Sequence, residues 1–105
     1  MRIRILTSAF HDLADGQRFY ERQGEGLGAF FPDSLFSDID SLALYAGIHW
    51  NVFGFHRLLA RRFPYAIYYL LDDEGVVVYR VLDCRQNPHR IASALRQSAT
   101  SRPKS

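Results

Sequence analysis

Two apolar runs separated by a short polar stretch constrain the fold of this chain more than any other feature. The first, Pro64 to Leu71, opens on a proline, whose missing N–H does least harm where a strand begins. Aromatic and β-branched side chains suited to a pleated, buried surface follow it. Asp72, Asp73, Glu74 and Gly75 then supply a polar turn with a glycine free to take positive φ. The second run, Val76 to Asp83, is again apolar at successive positions, so both strands are expected to lie in the middle of a sheet, covered by the helices on one side. The hairpin exits through Cys84, Arg85, Gln86, Asn87 and Pro88, which holds an arginine at the rim of the sheet.

The flanking segments supply what such a hairpin pairs with. Arg2 to Thr7 alternates charged and apolar residues and reads as a strand, expected at an edge. Thr7 and Ser8 offer hydroxyls to cap a first helix, whose face is predicted from Phe10, Leu13, Ala14, Gln17 and Tyr20, with Asp12 and Asp15 near its positive end. The glycines between Gln23 and Gly28 end it. A stripe through Leu27, Phe31, Leu35, Ile39, Leu42 and Ala46 predicts a second helix, which Pro32 either kinks or begins. Gly47 to Gly54 reads as a loop carrying His49 and Trp50, and Phe55 to Arg61 as a strand that turns Arg57 and Arg61 outward. Trp50, Phe53 and Phe55 are expected in the core. Asn87 and Pro88 suit the start of a short helix, His89 to Gln97, that uses Ile91 and Leu95. The expected fold class is α+β: two N-terminal helices packed on a small, mainly antiparallel sheet, in the order β-α-α-β-β-β, with a short C-terminal helix. Residues 1–97 form one domain in this reading and residues 98–105 a flexible tail.

A chain of 105 residues supports one modest core, with no room for a second fold or a deep cofactor cleft. With 48% hydrophobic and 23% charged residues it has the composition of a globular domain. Its single cysteine excludes an internal disulfide framework, and no Cys/His spacing resembles a zinc site, so neither metal nor cofactor is expected. Cys84 reads as a buried small side chain. No apolar run approaches the ~20 residues that span a bilayer, and Met1 to Leu6 lacks the apolar stretch of a signal peptide. A soluble protein of the reducing cytoplasm, without membrane contact, is expected.

The net charge of +2 conceals an asymmetry: residues 1–50 carry 4 arginines against 7 acids, whereas residues 51–105 carry 9 basic groups against 4 acids. The C-terminal half is therefore the candidate anion-facing side. Nearly all of the 13 basic residues are arginine, which favours bidentate contacts to phosphate or carboxylate, although codon preference produces the same bias.

The order strand, helix, helix, three strands, short helix, with RRFPYAIYY leading into VVVYRVLDCRQNPHRI and with "GLG" at Gly26 to Gly28 opening the second helix, resembles the RelE/ParE superfamily of toxins from type II toxin–antitoxin operons. The resemblance covers nearly the whole chain. It implies a compact α+β toxin neutralised by a co-encoded antitoxin that wraps it, acting alone, as a dimer, or within a toxin–antitoxin hetero-oligomer. RelE-like members cut messenger RNA on the ribosome without metal, which requires a proton acceptor, cations for the charged phosphorane and an acid for the leaving oxygen. Arg57 matches one cationic position of that set and Arg85 another, but Leu59, Ala66 and Ile91 stand where a lysine, an arginine and a tyrosine are expected. A ribonuclease built on this chain would rely on His56, Arg57, Arg85 and His89. ParE-like members instead bind DNA gyrase and trap it on cleaved DNA. The FPY opening and the LDCRQNP exit resemble that branch more, with Arg57, Arg61, Arg62, Arg80, Arg85 and Arg90 as the implied target-binding residues. An inert relative that only binds a partner is the third reading.

Overall fold

The computed structural model describes residues 1–100, in the order β1 (Arg2–Ile5), α1 (Thr7–Gln23), α2 (Leu27–Asp40), a one-turn α3 (Leu42–Tyr45), β2 (Asn51–Val52), β3 (Phe55–Leu59), β4 (Tyr65–Asp72), β5 (Gly75–Asp83) and α4 (Pro88–Thr100). The class is α+β, as expected, with a mixed sheet of order β1-β5-β4-β3-β2. All neighbours are antiparallel except β1 and β5, which run parallel with Arg2 beside Gly75 and Ile5 beside Val78. The β4–β5 hairpin occupies the centre and β1 an edge. Asp72 makes the hairpin turn by accepting bonds from the N–H groups of Glu74 and Gly75, and Gly75 takes φ 138°. A Cβ on Gly75 would stand 2.2 Å from the Arg2 carbonyl oxygen, so glycine also permits β1 to come alongside.

A bulge in the hairpin decides how the layers attach. Tyr68 pairs with Arg80 but Tyr69 with Val78, leaving one extra residue on β5. Val76, Val78 and Val81 consequently join one core with Ala9, Leu13, Phe31, Leu35 and Ile39 of the two long helices. Val77, Tyr79 and Leu82 join a second core, on the other face, with Ile91 and Leu95 of α4. The strands expected to be covered by helices on one side are thus covered on both. Ser98 is buried within α4, so the helix runs three residues past its expected end; the rest of the expected tail lies outside the described residues. At the start of α4, the Asn87 side chain accepts the His89 N–H at 2.8 Å, as its sequence predicts.

β1 accompanies β5 only as far as Val78, and beyond that point α1 occupies the edge. Ser8 is not a cap: Leu6 holds that position without a side-chain bond, and the Ser8 hydroxyl donates to the Tyr79 carbonyl at 2.7 Å. Asp12 does not serve the helix dipole either. It is 9% exposed, accepts a bidentate pair from Arg80 Nε and Nη2 at 2.7 and 2.9 Å, and accepts the Val81 N–H at 2.9 Å. The buried face of α1 is therefore Ala9, Asp12, Leu13 and Gly16, while Phe10 and Gln17 face water. A Cβ on Gly16 would lie 2.4 Å from the Phe31 ring, so glycine lets α1 and α2 approach closely. Glu21 at the end of α1 reaches across to the start of α2, accepting N–H groups from Gly26 and Gly28 that would otherwise lack partners. α2 begins at Leu27 and contains Pro32, so the proline does not mark its start, and it ends at Asp40 rather than continuing to Ala46.

The expected loop from Gly47 to Gly54 contains the short strand β2, hence one strand more than the sequence predicts. It is joined to β3 by a two-residue turn, Phe53–Gly54, with both residues at positive φ (53° and 84°). Trp50 and Phe53 are 84% and 54% exposed, so of the three aromatic residues assigned to the core only Phe55 is buried. Removing the Asp12 carboxylate strands Arg80 and the Val81 N–H together. Asp12→Ala is expected to cost about 3 kcal/mol in urea unfolding, and Asp12→Asn distinctly less because it keeps an acceptor.

Candidate functional site

The faces of the sheet sort the candidate residues. Arg57 lies opposite Tyr68 on β4 and shares its face, the side of the sheet that α4 covers, with its guanidinium near the Tyr68 hydroxyl. Leu59 and Ala66, opposite each other on that same face, present no charge to join it. Cys84 adjoins this pair. It is exposed rather than buried as its sequence context suggested, while local desolvation pushes its thiol up, the opposite of what a nucleophilic sulfur requires.

Arg85 belongs to the other face. Asp83 pairs with Tyr65, a member of the core beneath α1 and α2, and Arg85 folds back on it through Nε at 3.1 Å, Nη2 at 2.9 Å and its own N–H at 2.8 Å. Tyr20 and Tyr65 lie close enough to influence the guanidinium. The Arg85 hydrogen bond draws the Asp83 carboxyl below the usual range, while burial pushes Tyr65 up to about 12. Arg57 and the Asp83–Arg85 pair are thus associated with opposite sides of the sheet.

His56 lies opposite Tyr69, four positions along β4 from Tyr65 and hence roughly 13 Å away along the strand. Its ring stacks on Tyr69 at 5.1 Å, and its Nδ1 lies 3.1 Å from the His49 carbonyl oxygen. A carbonyl only accepts, so Nδ1 carries the hydrogen and Nε2 is the open acceptor of the neutral ring. His49 meets the same tyrosine edge-on, with Nδ1 against the Tyr69 hydroxyl. That hydroxyl accepts the Gly47 N–H at 2.9 Å, which leaves its own hydrogen for His49. Two histidines and a fully buried tyrosine therefore form one network that anchors the segment between α3 and β2. Periodicity gave no sign of it, because His49 lies in irregular chain.

The remaining candidates are dispersed. Arg61 and Arg62 are exposed beside the outer surface of α2, lining a hollow with Phe30, Asp33, Ser34, Ser37 and Asp38; the buried Asp38 carboxylate accepts the Arg61 N–H at 3.1 Å. Arg80, with two nitrogens committed to Asp12, borders a shallow groove with His89, Arg90 and Ser93. His56, His89 and Arg85 do not surround one pocket. Among the described residues no group of three or more His, Cys, Asp or Glu comes together as a metal-holding set, and no helix is long and apolar enough to cross a membrane.

Burial and the neighbouring His56 hold the His49 pKa below the ordinary histidine value. The unfolded chain therefore binds the proton more readily, so stability is complete above about pH 6.5 and is lost as pH falls from there toward the folded-state pKa. Urea unfolding at about pH 7.5 and about pH 5.5 is expected to show this decline, and His49→Asn, which retains an acceptor for Tyr69, to flatten it.

Neither a scan against protein-family models nor a search of curated proteins returns a match to this chain.

Proposed function

We propose that this chain is a toxin of the RelE/ParE kind that acts by association, with DNA gyrase as its target and a co-encoded antitoxin as its neutralising partner. One observation carries the choice of association over RNA cleavage: Arg57 and Arg85, the two cations that match the ribonuclease set, are associated with opposite faces of the sheet. Cleavage through the 2′-hydroxyl needs a base, an acid and charge stabilisation within a few ångströms of one phosphate. Here His56 is bound into the Tyr69 network, Arg85 is paired with Asp83, and His89 stands on α4 beside Arg90. Binding needs only surface. Exposed Arg61 and Arg62 at one end of the sheet and Arg90 on α4 supply cationic contacts of the kind that steer a protein toward an acidic partner.

Purified chain is expected to inhibit gyrase supercoiling in a dose-dependent manner, and the double substitution Arg61→Ser/Arg62→Ser to weaken that inhibition by roughly 10-fold or more with the fold intact. Unchanged supercoiling at saturating protein removes gyrase as the target. Cleavage of messenger at the ribosomal A site, abolished by Arg85→Ala, replaces this reading with the nuclease one.

A further inference from the structure

Cations gather without acids in the groove along α4. The hollow beside Arg61 and Arg62 also holds Asp33 and Asp38, so its arginines are offset in place. The α4 groove is lined by Arg80, His89, Arg90, Ser93, Ala94 and Gln97. A second hollow, lined by Leu6, Ser8 and Tyr79, adjoins it through the shared Arg80 and Gln97. Among the described residues no Asp or Glu lines either one.

Arg80 is the fixed member of this group. Its Nε and Nη2 bind the two oxygens of the buried Asp12, which covers one edge of the guanidinium. The end formed by Nη1 and Nη2 keeps donors of its own, and Asp12 holds the planar group still while it offers them. An arginine held in this way loses little side-chain freedom when it meets an anion. Asp12 offsets the charge of Arg80, and Asp15 acts on it from α1 while paired with Arg18, so the surplus positive charge of the groove comes from Arg90. Arg90 occupies the first turn of α4, where the positive end of a helix disfavours a cation, and no acid accompanies it there. The amides of that turn are already bonded, His89 to the Asn87 side chain and Arg90 and Ile91 to the Asn87 carbonyl, so the donors facing the groove are side chains.

We propose that the α4 groove binds a phosphate group carried as a monoester on a small organic molecule, its oxygens meeting Arg80, Arg90 and the Ser93 hydroxyl and its carbon skeleton passing over Leu6 and Tyr79. Two forked guanidiniums, a hydroxyl and an imidazole present more donors than the two oxygens of a carboxylate can use, whereas the three terminal oxygens of a monoester match them. The groove has a volume of about 350 Å³, which accommodates such a molecule. An anion against Arg90 also relieves the unfavourable placement of that charge. This site does not depend on gyrase being the target.

Amide and arginine Nε chemical shifts of the full chain test the proposal, followed by nuclear magnetic resonance at about pH 7.5, where a phosphate monoester is a dianion. Phenyl phosphate, inorganic phosphate and acetate are added at matched ionic strength. Phenyl phosphate is expected to give saturable shifts at Arg80 and in α4, to bind several-fold more tightly than inorganic phosphate, and to exceed acetate by about 10-fold or more. Arg90→Gln, a change at an exposed position, is expected to weaken phenyl phosphate by about 10-fold, and Arg96→Gln, which removes the same charge from the same helix outside the groove, by less than about 2-fold. Absence of saturation, acetate binding as tightly as phenyl phosphate, or equal losses in the two variants overturns the proposal. So does inorganic phosphate binding as tightly as phenyl phosphate, or tighter binding of unphosphorylated oligo-dT that Arg90→Gln abolishes, because the groove then serves free phosphate or a phosphodiester backbone.

Discussion

The attachment of α1 to the open edge of β5 is the interaction on which the rest of the molecule depends. A strand that loses its neighbour halfway along would leave backbone groups unpaired at the centre of the protein, at a cost comparable to a lost hydrogen bond for each. Ser8 and Asp12 resolve this by acting as the missing neighbour, one taking a carbonyl and the other an N–H, while Arg80 balances the buried carboxylate. The bulge at Tyr79 and Arg80 makes this possible. It keeps valines on the helix-facing side above and below the irregularity, and it leaves Arg80 directed at the edge instead of into either core.

The central hairpin, its turn and the cap of α4 were legible because each follows from a local rule: runs of β-formers, a carboxylate turn with glycine, and Asn before Pro. The buried face of α1 was not. An aspartate at Asp12 reads as solvent-facing unless its partner is known, and that partner is 68 positions away; the apolar residues Ala9, Leu13 and Tyr20 are equally compatible with a stripe that omits it. β2 is too short to leave a periodic signal. Trp50 and Phe53 were placed in the core on hydrophobicity alone, a rule that runs one way only, since much of a folded protein's surface is apolar. Of the candidate site residues, the sequence identified the available cations but could not divide them between faces. Whether a residue points to one side or the other past a bulge depends on the register of the partner strand.

The division of the arginines bears on what this surface can accomplish. Arg80 is half-buried against Asp12 and Arg85 is exposed but paired with Asp83, whereas Arg61, Arg62 and Arg90 are exposed. The exposed arginines therefore stand as separate cationic points along the periphery. The His49–Tyr69–His56 network sits beside the most apolar part of that periphery and fixes the segment from which Trp50 projects.

The parallel pairing of β1 with β5 joins the two strands of the sheet that are farthest apart in the chain, with Arg2 reaching Glu74 across 72 positions. During synthesis the amino-terminal strand leaves the ribosome long before β5 exists to receive it, and α1 has only α2 to pack on. Loop closure over this span is entropically slow, and until it occurs Asp12 lacks both Arg80 and the Val81 N–H. A nascent chain ending before Val81 therefore cannot complete either core, and β5 must be translated before the sheet takes its native shape.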